Sequence, residues 1–175
     1  MHSFVSCLMH CVWSTKERRR LVTPELQERL YPYLGGIARK NKMKALAIGG
    51  VEDHVHMLLS VPSTLSIAKA IQLIKGNSSK WIHETFPDKG LLEWHEGYGA
   101  FSIGISAVEE TLAYIKNQKQ HHRSRSFKDE LIAFLESTAL HTRLGCLIDS
   151  VVPAGLMVVF DRFPAINRWA IFGRP

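Results

Sequence analysis

Hydrophobic and polar positions divide the chain into alternating strand-like and helix-like stretches. Phe4 to Trp13 is rich in β-branched, aromatic and sulfur residues and predicts a first, buried strand. Thr23-Pro24 opens a helix, with Thr as N-cap and Pro at the first helical position, and Leu26, Leu30, Leu34 and Ile37 recur at helical spacing to about Asn41. Met43 to Ile48 predicts a second strand, Gly49-Gly50 a turn, and His54 to Ser60 a third strand. Pro62-Ser63 breaks the pattern, and Ser66 caps a long helix with the stripe Ile67, Ala70, Ile71, Ile74, Ser78, Trp81 and Ile82. A fourth strand is predicted over roughly Gly97 to Ile105. Ser106-Ala107-Val108-Glu109 reads as a capping box opening a helix to about Gln120, and Ser126 caps a further helix through Ser137.

This order, β-α-β-β-α-β followed by helices, predicts an α+β fold of the ferredoxin-like (RRM-like) kind. Such a fold has an antiparallel sheet with helices packed on one side, here with a C-terminal helix added. Residues 1–138 form the predicted domain. Residues 139–175 differ in character: Cys146 to Arg174 is apolar, interrupted by Pro153, Gly155, Pro164 and Gly173, and keeps no period. They read as an atypical C-terminal extension, of the sort a frameshift or read-through would add.

Composition narrows the class. With 175 residues and 46% hydrophobic side chains, the chain can bury a core. Three cysteines form no paired framework, and the apolar N-terminus lacks the charged region and cleavage site of a signal peptide, which together predict a reducing, cytoplasmic setting. No stretch approaches the ~20 apolar residues of a membrane span. The net charge of +6 fits a nucleic-acid partner without requiring one.

Candidate chemistry starts at His54-Val55-His56. Residues i and i+2 of a strand project to one face, so both imidazoles can address one divalent cation. The helix opened at Ser106 has Val108, Leu112 and Ile115 as its predicted core face, with Tyr114 and Gln118 neighbours on another stripe. Gln118 offers a carbonyl oxygen as a third ligand, and Tyr114 a phenol as nucleophile. A phenol of pKa ~10 is a weak nucleophile at neutral pH. A cation held by His54, His56 and Gln118 would polarise a phosphodiester for attack by Tyr114, giving a covalent phosphotyrosine. Each residue alone has a plainer explanation: an incidental histidine pair, a partly buried tyrosine, a helix-surface glutamine. Their joint order on a strand and a helix is what is specific.

Basic residues cluster at Lys16 to Arg20, Arg39 to Lys44 and Lys116 to Lys128, with Trp13, Trp94, Tyr98 and Phe101 interleaved. That pattern suits single-stranded nucleic acid, bound by phosphate contacts and base stacking. Solvated faces account for many such charges, and Trp13 and Phe101 fit a core better. Candidate DNA contacts are Lys16, Arg18, Arg19, Lys75, Lys80 and Arg123. Lys75-Gly76-Asn77-Ser78-Ser79-Lys80 lacks the spacing of a nucleotide-binding phosphate loop and lies in a helical pattern. Cys7 and Cys11 read as buried thiols rather than zinc ligands.

Five stretches resemble the single-tyrosine HUH transposases of the insertion-sequence-200 type, a superfamily that includes the REP-associated tyrosine transposases. They are residues 10–16 (HCVWSTK), 49–56 (GGVEDHVH), 75–82 (KGNSSKWI), 94–101 (WHEGYGAF) and 114–122 (YIKNQKQHH), and the likeness spans about residues 3–138. The resemblance implies a homodimer that cleaves and rejoins single-stranded DNA, often recognising hairpins near element ends. It implies His54, His56 and Gln118 as ligands of Mg²⁺ or Mn²⁺ and Tyr114 as the residue joined to a DNA 5′ phosphate. In this family the tyrosine helix can also serve the His pair of the other subunit, making composite sites. Asp53 has at most a supporting role in this reading. His95 stands where relatives often have Gln, and the residues after Leu140 depart from the family altogether.

Two other functions share these features. One is a non-catalytic single-stranded nucleic-acid-binding module, a domesticated or decayed transposase. The other is a replication- or relaxation-type nicking endonuclease with the same histidine pair. A single tyrosine in a small chain without a helicase segment favours transposition over the latter.

Overall fold

A computed structural model describes residues 5–86 and 92–122. The chain divides into two compact units, 1–119 and 120–175, and the fold below belongs to the first. In order it comprises β1 (Leu8–Ser14), α1 (Pro24–Lys40), β2 (Lys44–Val51), β3 (His54–Ser60), α2 (Ile67–Thr85), β4 (Gly99–Ser102) and α3 (Val108–Lys116), with a further helical turn, α4, at Gln118–His121. The strands form one antiparallel sheet of order β2-β3-β1-β4, the ferredoxin-like arrangement predicted from the element order. The predicted helix from Ser126 and the 139–175 extension lie outside the described residues.

Strand alternation sorts the sheet into two faces. Cys11, Trp13, Val55, Met57 and Leu59 point to one side, where Leu26, Leu30, Leu34, Ile71, Ile74 and Ile82 of α1 and α2 cover them as the main core. Burial of this many large side chains, each contributing roughly 1.5–3 kcal/mol, drives the two-layer arrangement. On the other face Ala47 and Leu58 pack against Ile115 of α3 in a second, smaller core. His10, His54 and His56 share this second face.

Three local expectations fail for identifiable reasons. Gly49 and Gly50 do not turn the chain; they continue β2, pairing with His56 and Val55, and the turn falls at Glu52-Asp53. The glycines serve close approach instead. A Cβ at Gly49 would lie 2.1 Å from the carbonyl oxygen of Ile115, and Gly50 has φ +149°. The capping box at Ser106 does not form, because residues 105–107 make a 3-10 turn and α3 starts one residue later than the box requires, at Val108. The helix predicted to run to Gln120 breaks at Asn117, whose N–H donates to the carbonyls of Ala113 and Tyr114. Elsewhere, Ser66 caps α2 by accepting from the Lys69 amide, whereas Thr23 precedes α1 without a side-chain capping bond.

Candidate active site

The site lies on the α3 face of the sheet, where β3 supplies His54 and His56, both fully buried. Their rings are 5.0 Å apart and edge-on. α3 brings its residues over this pair because Thr111 and Ile115, at i and i+4, are its buried positions, and Gln118, the first residue of α4 beyond the break at Asn117, is buried as well. That face mixes the two stripes read from the sequence: Ile115 lies against Gly49, and Gln118 is turned inward. Gln118 is buried, with its side chain close enough to act on His54. The Tyr114 ring stands perpendicular to His56 at 5.8 Å between centroids. All four residues named from the sequence as catalytic or metal-ligating therefore meet within one chain.

Each histidine is held from behind. Asp53 accepts from His54 Nδ1 at 2.7 Å, and its other carboxylate oxygen pairs with the Arg18 guanidinium. Burial works to raise the Asp53 pKa, but the hydrogen bonds from His54 and Arg18, and their charges, outweigh it and hold the carboxyl well below the usual range. Burial lowers the His54 pKa, with Asp53 opposing, which favours the neutral ring a metal requires. Arg18 reaches Asp53 from a tight turn in which Glu17 and Arg18 both adopt left-handed backbone, φ 55° and 56°. Such conformations cost non-glycine residues of order 1 kcal/mol each and are retained where surroundings enforce them.

The second support was missed by sequence reasoning. His10 of β1, buried, lies with Nε2 2.9 Å from His56 Nδ1. Burial pushes its pKa down to about 4. The signal in the sequence was alternation alone: His10, Val12 and Ser14 share a face, and only the β1–β3 register, with Val12 opposite His56, brings that face to the pair.

The donor set fits a divalent cation. Two imidazoles with their Nδ1 atoms engaged by Asp53 and His10 keep Nε2 for ligation, and a buried amide oxygen suits a hard cation. His54, His56 and Gln118 would hold it.

The candidate DNA contacts divide differently. Arg18 is committed to Asp53, Arg19 pairs with Glu17, Lys16 with Glu93 and Lys80 with Glu84, while Arg123 lies outside the described residues. Lys75 is half-buried, and its ammonium donates to the carbonyls of His95, Glu96 and Gly97 at 2.6, 2.9 and 3.1 Å. Burial draws its pKa down to about 8. Ser78, one turn later, accepts from the Trp94 indole at 3.0 Å. The stretch KGNSSK is thus part of α2 and fastens the segment leading into β4. Trp13 and Phe101 are core residues.

A family model described as Transposase IS200 like matches residues 3–118, a span that holds His10, Asp53, His54, His56, Tyr114 and Gln118. The chain belongs to the IS200-like transposase family. It is a transposase. The transposase for insertion sequence element IS200 of Salmonella typhimurium is 26% identical over 127 residues, covering 70% of this chain and 83% of that protein. The ISDra2 transposase TnpA of Deinococcus radiodurans is 25% identical over 114 residues, covering 62% and 81%. Two solved structures share the fold. A candidate transposase from Deinococcus radiodurans superposes with a TM-score of 0.55 at 24% identity, covering 67% of this chain and 95% of its own. A REP-associated tyrosine transposase bound to a REP hairpin gives 0.52 at 13% identity, covering 70% and 72%. Among the described residues no helix is long and apolar enough to cross a membrane.

Proposed function

We propose that this IS200-like transposase cleaves and rejoins single-stranded DNA through a 5′-phosphotyrosine on Tyr114. The reading rests on one observation: the Tyr114 ring packs edge-on to His56 at 5.8 Å beside the buried His54–Gln118 pair. His54, His56 and Gln118 would hold Mg²⁺ or Mn²⁺, which when bound polarises the scissile phosphate and offsets its developing charge. The Tyr114 oxygen attacks phosphorus and gives up its proton; the bond to the 3′ oxygen breaks, and that oxygen leaves as a 3′ hydroxyl. Attack of a 3′ hydroxyl on the phosphotyrosine reverses these steps, so rejoining needs no nucleotide cofactor.

Packing of Ile115 directly on Gly49 favours Tyr114 serving the histidine pair of its own chain. The substrate is single-stranded DNA with hairpins near element ends, a reading that draws on the relative bound to a REP hairpin. The working form in this reading is a homodimer. The test is incubation with single-stranded DNA carrying the element ends and Mg²⁺, followed by a denaturing gel. A DNA-linked band from the wild type that is absent from Tyr114→Phe supports the reading. No band from the wild type, or one that survives Tyr114→Phe, overturns it.

A further inference from the structure

We propose that His10 is a positioning residue that orients His56 for metal ligation, the counterpart for His56 of what Asp53 does for His54. The inference rests on the metal-site reading above and extends it to a residue outside the HUH pair. His10 sits on β1 opposite Leu58, one pleat along from the Val12–His56 pair, so its side chain reaches His56 diagonally on the same face of the sheet. The Nε2-to-Nδ1 separation is 2.9 Å, a full hydrogen bond between two rings that are each no more than 1% exposed. An imidazole that ligates through Nε2 must carry its proton on Nδ1. His56 Nδ1–H then donates to His10 Nε2, which fixes both the tautomer and the ring plane of His56. In a buried setting that bond is not exchanged for water, so it holds the ring more firmly than an exposed bond would.

The two ligands are thereby supported unequally. His54 leans on a carboxylate that is itself tied to Arg18; His56 leans on an uncharged ring. His10 also places its ring 5.9 Å from Tyr114 and 6.4 Å from Phe101. It thus lies between β4 and the nucleophile, where loss of its hydrogen bond frees His56 to rotate beneath Tyr114.

Substitution separates this role from simple packing. His10→Phe keeps a ring and removes the acceptor. His10→Gln can set its side-chain oxygen where Nε2 was, whereas His10→Asn is too short to reach. Mn²⁺ binding to the DNA-free protein is read from the loss of the free-ion resonance, with thermal melting of the metal-free protein as a control for folding. His10→Phe is expected to weaken Mn²⁺ about 10–100-fold, the range for loss of a residue supporting a metal ligand. His10→Gln is expected to stay within about threefold of wild type by keeping the acceptor, and His10→Asn to bind more weakly than Gln. In DNA cleavage, the Mn²⁺ concentration for half-maximal rate should rise in His10→Phe with the rate at saturating Mn²⁺ little changed.

Wild-type Mn²⁺ affinity in His10→Phe overturns the inference. So does a folded His10→Gln that binds no better than His10→Asn, an arm that decides the matter even if the Phe variant does not fold. Retention of Mn²⁺ by His54→Ala would instead overturn the metal-site reading itself, so the two failures are distinguishable.

Discussion

Gly49 is the seat of Ile115: no side chain fits between them, since a Cβ on Gly49 would lie 2.1 Å from the Ile115 carbonyl oxygen. Gly49 also pairs with His56 across β2 and β3, so the point where α3 touches the sheet adjoins the metal-ligand candidate. Tyr114 precedes Ile115 and is carried by the same contact. Gly49→Ala should therefore lift α3 and separate Tyr114 from the histidines, at a cost of about 1–3 kcal/mol, the usual range for overpacking. The core on the opposite face of the sheet is untouched by this change. The variant should keep its secondary structure by circular dichroism while losing most DNA adduct formation; unchanged adduct yield would show that α3 is not seated there in the working enzyme.

Seating α3 on its own sheet has a consequence for mixed assemblies. Chains carrying Tyr114→Phe combined with chains carrying His54→Ala and His56→Ala each lack half of a site. If Tyr114 serves its own chain, co-refolded mixtures form no adduct. Recovery of a sizeable fraction of wild-type adduct in the mixture would mean that the tyrosine crosses to the partner.

Lys75 tests the division between DNA contacts and internal fastening. Its ammonium satisfies three carbonyls of residues 95–97. Lys75→Met leaves those groups without their donor and should lower stability by about 1–3 kcal/mol in urea titration. A DNA-phosphate role predicts the opposite pattern: stability unchanged, and a salt dependence of DNA binding shallower by about one counterion.

Cys11 gives stability a pH dependence of known sign. Burial, followed by the effect of nearby Cys7, pushes its thiol from the ordinary 9.0 up to about 12. Below pH 9 both folded and unfolded thiols are protonated, and the shift has no effect. Between 9 and 12 the unfolded thiol ionises and the folded one does not, so stability falls as pH rises, by up to about 1.4 kcal/mol per unit. The stability gap between wild type and Cys11→Ala should accordingly narrow by about 1 kcal/mol between pH 8 and 10. A gap that stays constant would contradict the buried, protonated thiol.

Much of this was legible in residue order, and the exceptions share a cause. Alternation placed His54 and His56 on one face, an inference that needs only local geometry, whereas the single helix read through Tyr114 and Gln118 is broken at Asn117. The site residues that escaped notice depend on contacts between distant segments. His10 meets His56 across 46 positions, through a strand register that no local pattern encodes. Gly49-Gly50 resembles a turn until α3 is known to press on it. The Ser106 capping box matches in letters, yet the chain there is drawn into a 3-10 turn. The internal partners of Arg18 and Lys75 were equally invisible, because a cation engaged by Asp53 or by backbone carbonyls reads the same in sequence as a solvated one.

The most direct measurement is to map the covalent product. Single-stranded DNA bearing an element end, labelled on either side of the break, is reacted with the wild-type protein and Mg²⁺, digested with protease and nuclease, and sequenced by mass spectrometry. The account predicts one nucleotide-bearing peptide, modified at Tyr114 and joined through phosphate to the DNA that lies 3′ of the break, with a free 3′ hydroxyl on the other fragment. A modified residue other than Tyr114, or cleavage that leaves both ends free of protein, would contradict it.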